Sequence, residues 1–326
     1  MSEFFAAYGL FLAQLATFIL LLVIAIVLVA SRRRSHGEGL VVEHLNRQFE
    51  DSADGLKLAI DGKGRAKKAM KARHKERKRE DKARDKEGGA KPRLFVLDFK
   101  GDIRASAAAS LREEVSAVLR VANKGDQVLL RLENSGGTVH EHGFAASQLT
   151  RVKQHGLKLL IAVDKVAASG GYLMACVADR IIAAPFAIVG SIGVLAQIPN
   201  FHRLLEEKGV DFEQVTAGRY KRTLTMFGEN TAEGREKLKE QVEDIHELFK
   251  NQIREHRPQV DVESVATGEH WYGVRALELK LVDELKTSDD VLVEAAKDHD
   301  LYQIAYKRRR NWQERVLGGA ESLLRY

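Results

Sequence analysis

Residues 163–175 read VDKVAASGGYLMA. Before them LKLLIAV (157–163) is apolar but for Lys158 and of strand length, and after the serine GYLMACVA spaces its apolar residues as a helix does. The stretch therefore predicts a strand-to-helix turn with one hydroxyl at its tip, Ser169, followed by Gly170 and Gly171. Strand running into helix is the unit of a layered α/β fold, and the flanking text repeats it. LFVLDF (94–99) and QVLLRL (127–132) read as buried strands on either side of a helix within ASAAASLREEVSAVLRVA (105–122). VHEHGFAASQLTRVKQH (139–155) reads as the next helix and RIIAA (180–184) as a further strand. From Ala232 to His256, Leu238, Val242, Ile245, Leu248 and Phe249 recur at helical spacing behind an N-cap candidate, Thr231. VATGEHWYGVRALELKLVDEL (265–285) reads as a turn leading into a short helix. The expected class is α/β with parallel or mixed strands.

Two other apolar stretches need separate readings. APFAIVGSIGVLAQIPNF (184–201) is interrupted by Pro185, Gly190, Ser191, Gly193 and Pro199, so it is expected as strand and turn inside the core. Phe4–Ala30 is different: it carries no charged residue over 27 positions, more than the roughly 20 a helix needs to cross a bilayer. Its amino-terminal flank is MSE and its basic cluster, Arg32, Arg33 and Arg34, lies on the far side, which suits an uncleaved anchor better than a cleaved signal.

Net charge is +6 for 326 residues, but Lys63–Arg93 alone holds 15 Lys or Arg against 5 Asp or Glu. This run has almost no large apolar residue with which to offset the entropy of ordering, so a partly helical linker is expected. Lying near the span, its positive charge is suited to anionic lipid head groups. No aromatic residue is interleaved from Gly62 to Arg93, so a base-stacking platform for nucleic acid is missing. These shifts divide the chain into an anchor (1–31), a basic linker (32–93) and a folded domain (94–326). A single cysteine, Cys176, excludes an intramolecular disulfide and any multi-cysteine metal site, and is read as a packed thiol.

Serine is a common N-cap, so Ser169 alone has an ordinary structural reading. The second feature is RLENSGGTVHEHG (131–143), which ends a strand and supplies Gly136 and Gly137 before another helix. A nucleophilic serine needs two amide donors for the oxyanion, and two glycine loops can provide them. The base is open on these residues alone. His140 and His142 are histidines without a recognisable triad pattern, and Lys165 and Lys221 are lysines near turns. A lysine must be neutral to accept the serine proton, which burial favours. His140, Glu141 and His142 lack a second ligand cluster for a metal, so neither metal nor cofactor is expected. Trp271 and Tyr272 are expected to pack at a turn, and His246 and His256 to face solvent.

The ordered set AASGGY (167–172), GSIGV (190–194) and AGRYK (217–221) resembles the signal peptide peptidase family, and the likeness runs from Leu94 to about Leu292. The resemblance implies a membrane-bound serine peptidase with a ClpP/crotonase-like fold of repeated strand-strand-helix units and a serine–lysine dyad. By motif, Ser169 would be the nucleophile, Lys221 the general base, and Ser191 the hydroxyl that orients the lysine. Gly170 and either Gly136 or Gly137 would form the oxyanion hole, and Lys165 would be structural. One chain is expected to supply both members of the dyad, with Lys221 buried against the GSIGV strand. The family's partners would be unstructured or membrane-released peptides and further copies in a ring-like homo-oligomer. Its place would be the bacterial inner membrane, crossed once. The positive-inside rule puts the domain in the cytoplasm, while the resemblance puts it outside. The chain departs from the family at ENSGGT (133–138), and Lys280 stands where a helix-ending glycine is common. A catalytically idle membrane scaffold of the same fold is the alternative.

Overall fold

The computed structural model describes residues 38–62 and 91–308 without a break, and also 9–11, 14, 15, 17, 18, 21, 64, 70–72, 75 and 79. Two compact units divide the chain, residues 1–41 with 306–326 and residues 42–305; the second carries the site. The continuous part opens with β1 (Gly39–His44) and α1 (Leu45–Asp61). Alternation follows: β2 (Arg93–Lys100), α2 (Ala108–Val121), β3 (Gln127–Glu133), α3 (Val139–Gln154) and β4 (Lys158–Val163). Next come β5 (Val166–Ala168), α4 (Gly170–Ala175), β6 (Arg180–Ala183), β7 (Ile188–Gly190) and α5 (His202–Glu207). The rest is α6 (Ala232–His256), α7 (Val262–Val265), β8 (His270–Tyr272), α8 (Gly273–Glu278), β9 (Glu284–Leu285), α9 (Ser288–Ala295) and β10 (Asp300–Lys307).

Seven strands form one sheet in the order β1-β10-β2-β3-β4-β6-β9, parallel from β10 to β9. Pleating sends alternate residues of β2 to opposite faces. Leu94 and Val96 meet Leu129, Ala162 and Ile182 under Leu45 of α1 and Leu292 of α9. Phe95, Leu97 and Phe99 join the larger core beneath α2, α3 and α4. Both faces of these strands are covered, which is why they spell continuous apolar runs. A second, mixed sheet of order β5-β7-β8 stands beyond the carboxyl end of β3, where Asn134 bridges Ala167. The fold is therefore α/β with mixed strands, as the sequence pattern predicts.

Part of the stretch expected as linker is folded: β1 and α1 fall inside 32–93, and Leu45 is buried because α1 covers the sheet with its first turn. Most of the lysine-rich run lies outside the described residues, as does most of the expected span Phe4–Ala30. No helix among the described residues is long and apolar enough to cross a membrane. In the 184–201 stretch Ala187, Val189 and Ile192 are core, whereas Phe186, Leu195, Ile198 and Phe201 are exposed. Thr231 caps α6 as expected, its Oγ1 accepting the Gly234 N–H at 3.0 Å.

Candidate active site

Ser169 sits between β5 and α4 at φ 53°, a left-handed conformation uncommon outside glycine. Its N–H donates to the Gly190 carbonyl of β7 at 2.8 Å, which pins the turn to the second sheet. The side chain is half-buried, and its hydroxyl has no hydrogen-bond partner among the described residues. Helix α4 is only six residues long, so any electrostatic help comes from individual amides more than from a long dipole.

The glycine loop lies directly against this turn. A Cβ on Gly136 would fall 2.7 Å from Ser169 Cβ and 2.9 Å from the Gly170 nitrogen, and its φ of +92° already disfavours a side chain. The Gly136 N–H is committed, donating to Asn134 Oδ1 at 2.8 Å. The amides of Gly137 and Gly170 have no hydrogen-bond partner among the described residues. Gly137 is held from behind, since a Cβ there would fall 2.0 Å from the Ile103 carbonyl oxygen. The site thus presents one hydroxyl and two free amides.

Ser191 follows Gly190 directly, at φ 51°, with its N–H donating to the Glu269 carbonyl at 2.6 Å. Trp271 packs against Gly190, where a Cβ would fall 2.7 Å from its ring. The lysines and histidines separate by geometry. Lys165 is exposed and paired with Glu133 at 3.1 Å, so it is occupied as a surface ion pair. His140 is exposed, 3.8 Å from Glu141. His142 is fully buried, with Nδ1 2.8 Å from the Thr138 carbonyl and Nε2 3.3 Å from Asn134 Oδ1, and it makes no hydrogen bond to Ser169. His246 and His256 are half-buried on α6 and do not simply face solvent.

Lys221 differs from its expectation of burial. It is exposed, in a stretch after α5 without helix or strand, and no hydrogen bond joins its amine to Ser169. The reason is local: its segment contributes little to the core and leaves Leu195, Leu204, Val210 and Val215 exposed. Phe201 and Phe212 each pack on Phe227, at 6.3 and 5.8 Å between ring centroids, and give the segment a small cluster of its own. Sequence reasoning missed Asn134, although an asparagine two residues before a loop glycine is the spelling of an Asx turn.

Among the described residues no group of three or more His, Cys, Asp or Glu could hold a metal ion. Burial pushes the Cys176 thiol up to about 12, which fits a packed and unreactive sulfur.

Residues 3–149 match the family model described as peptidase family S49 N-terminal, and residues 151–302 match that of peptidase family S49. The chain is 45% identical over 323 residues to the probable protease SohB of Haemophilus influenzae, covering 95% of this chain and 91% of that protein. It is 57% identical over 225 residues to the probable protease SohB of Buchnera aphidicola from Acyrthosiphon pisum, covering 69% and 67% of the two chains. Among solved structures it is similar to the 1510-N membrane-bound stomatin-specific protease in complex with a substrate peptide. That likeness has 12% identity and a TM-score of 0.44 over 71% of this chain and 99% of the other.

Proposed function

The chain belongs to peptidase family S49, and on that footing we propose that it is a membrane-anchored serine endopeptidase using Ser169 and Lys221. The observation that carries the proposal is Ser169 itself, held at positive φ against the Gly136 loop, with the neighbouring Gly170 amide and the loop's Gly137 amide unpartnered among the described residues. In the first step Ser169 Oγ attacks the peptide carbonyl carbon while its proton passes to the neutral amine of Lys221. The carbonyl oxygen becomes the oxyanion and takes hydrogen bonds from the Gly137 and Gly170 amides. Of the two glycines first considered, Gly137 is the donor, because the Gly136 amide is occupied by Asn134. Collapse breaks the C–N bond, the lysine returns its proton to the leaving amine, and water later hydrolyses the acyl-enzyme by the same route. Ser191, one residue beyond the carbonyl that accepts the Ser169 N–H, takes in this proposal the role of orienting the lysine.

The layering agrees with a ClpP/crotonase-like arrangement, and the substrates proposed are unstructured or membrane-released peptides. The exposure of Lys221 favours one refinement, activity in a homo-oligomer. A second copy covering the apolar residues around Lys221 would enclose its amine, and burial favours the neutral form of a lysine. Anchoring is proposed through the apolar amino-terminal segment, in a bacterial inner membrane crossed once, with the basic run against lipid head groups.

Hydrolysis of unfolded casein by the full chain in detergent tests the assignment. Turnover is expected in the wild type and in Lys165→Ala, and none in Ser169→Ala, Lys221→Ala or Lys221→Arg, since guanidinium does not give up its proton near neutrality. Normal activity in any of these last three would reject the dyad. A wild type that never turns over would leave the idle scaffold.

A further inference from the structure

Beneath the serine lies a buried polar group that the steps above do not use. Asn134, the first residue after β3, is 1% exposed, and His142, in the first turn of α3, is fully buried. Asn134 grips both loops. Its N–H donates to the Val166 carbonyl at 2.9 Å and its carbonyl accepts from the Ala168 N–H at 3.0 Å, binding it to the strand that enters Ser169. Its Oδ1 accepts the Gly136 N–H at 2.8 Å, and its Nδ2 meets Met174 Sδ on α4 at 3.5 Å. The Thr138 carbonyl, 2.8 Å from His142 Nδ1, and Asn134 Oδ1, 3.3 Å from Nε2, can only accept, so whichever ring nitrogen bonds its oxygen does so as the N–H donor. The His142 ring lies under the nucleophile turn, where a Cβ on Gly170 would fall 2.5 Å from its Cγ.

Buried polar side chains are costly unless hydrogen-bonded. An apolar pair would fill the same space but would strip the Gly136 amide of its acceptor. Each of the two free amides is next to one member of this group: Gly137 follows the residue whose N–H Asn134 holds, and Gly170 rests on the His142 ring. We propose that Asn134 and His142 are a positioning pair that sets the separation of the Gly137 and Gly170 amides across Ser169. The proposal rests on the serine-peptidase reading and gives His142 a role other than general base.

The full chain in detergent is compared with Asn134→Ala, His142→Ala, His142→Gln and His142→Asn. Glutamine can present an amide N–H where Nε2 stands, while asparagine replaces only the Nδ1 side. Both alanine variants should lose about 10- to 100-fold in kcat on a peptide substrate, with KM changed about twofold at most. Affinity for a peptide boronic acid, whose adduct on the serine is tetrahedral, should fall by the same factor. Peptide binding in a Ser169→Ala background should stay as in the wild type. His142→Gln should recover most of the loss and His142→Asn should not.

Wild-type kcat and boronate affinity in both alanine variants would overturn the pair. So would an equal loss of boronate and ground-state peptide affinity, which a merely structural role produces. If the alanine variants do not fold, equal boronate affinity in His142→Gln and His142→Asn overturns it. A wild type that neither hydrolyses peptide nor takes the boronate fails at the peptidase reading itself, which is a separate outcome.

Discussion

Gly136 is the residue where sequence, backbone and chemistry meet most tightly. Its φ of +92° and the 2.7 Å that would separate an added Cβ from Ser169 Cβ leave no room for alanine without moving the nucleophile. Gly136→Ala should therefore lower kcat/KM by about 100-fold or more, as the loss of an oxyanion donor does. The measurement is steady-state hydrolysis, and activity within about threefold of the wild type would show that the loop is not part of the site. The turns at Ser169–Gly170 and Gly136–Gly137 were legible because tight turns admit few residue types. The Asx bond of Asn134 was equally written in the spacing, but its burial depends on β5 returning alongside, a contact no local pattern announces. The exposure of Lys221 was illegible for the same reason, since its apolar neighbours look like core in the sequence and find no core in the chain.

At the scale of elements, α2, α3 and α6 were readable from their period, and the long parallel strands from unbroken apolar runs. The three-residue strands β5 and β8 were not, because three residues carry no period, while β7 falls within the 184–201 stretch expected as strand and turn. Asp126 shows how the edges of the readable elements are fastened. Its carboxylate accepts from the Arg93 side chain at 3.0 and 2.6 Å and from the backbone amides of Arg93 and Asn123, both at 2.8 Å. Burial by itself would raise the Asp126 pKa, but the Arg93 side chain and those two amides outweigh it and hold it below the ordinary value. A carboxyl depressed by folding adds stability above its unfolded pKa of about 4 and loses it as pH falls through the folded value. Asp126→Asn should therefore cost about 2 kcal/mol near neutral pH. That difference should shrink below about pH 4, as followed by denaturant melts across pH. A deficit unchanged down to about pH 2 would mean that the fastening does not depend on the charge.

The whole molecule poses two questions of surroundings. Val215 is 98% exposed and Leu195 76%, on the segment that carries Lys221, and this is the surface that the proposed homo-oligomer would cover. Val215→Glu should lower the assembled mass in light scattering and lower peptide hydrolysis in parallel, while leaving the melting temperature unchanged. Full mass and full activity would exclude that surface as the contact between copies. The second question is the side of the membrane. Arg32 to Arg34 follow the apolar segment at once, and the basic run continues the charge, against an amino-terminal flank, MSE, with no competing side-chain cation. On that asymmetry we propose the cytoplasmic side for the peptidase domain, against the expectation from the family resemblance. Ser52 lies on α1, exposed, and offers a position for a reporter thiol. Cys176 is buried with its thiol pushed up to about 12, so its replacement by serine removes a silent background and disturbs no chemistry in the site. With Ser52→Cys in the Cys176→Ser chain, a membrane-impermeant maleimide applied to intact cells with a permeabilised outer membrane should label nothing. Labelling should appear only once the inner membrane is broken. Labelling of intact cells would place α1, and the sheet whose face its Leu45 covers, outside the cytoplasm, because a folded domain reaches only one side of the bilayer that anchors it.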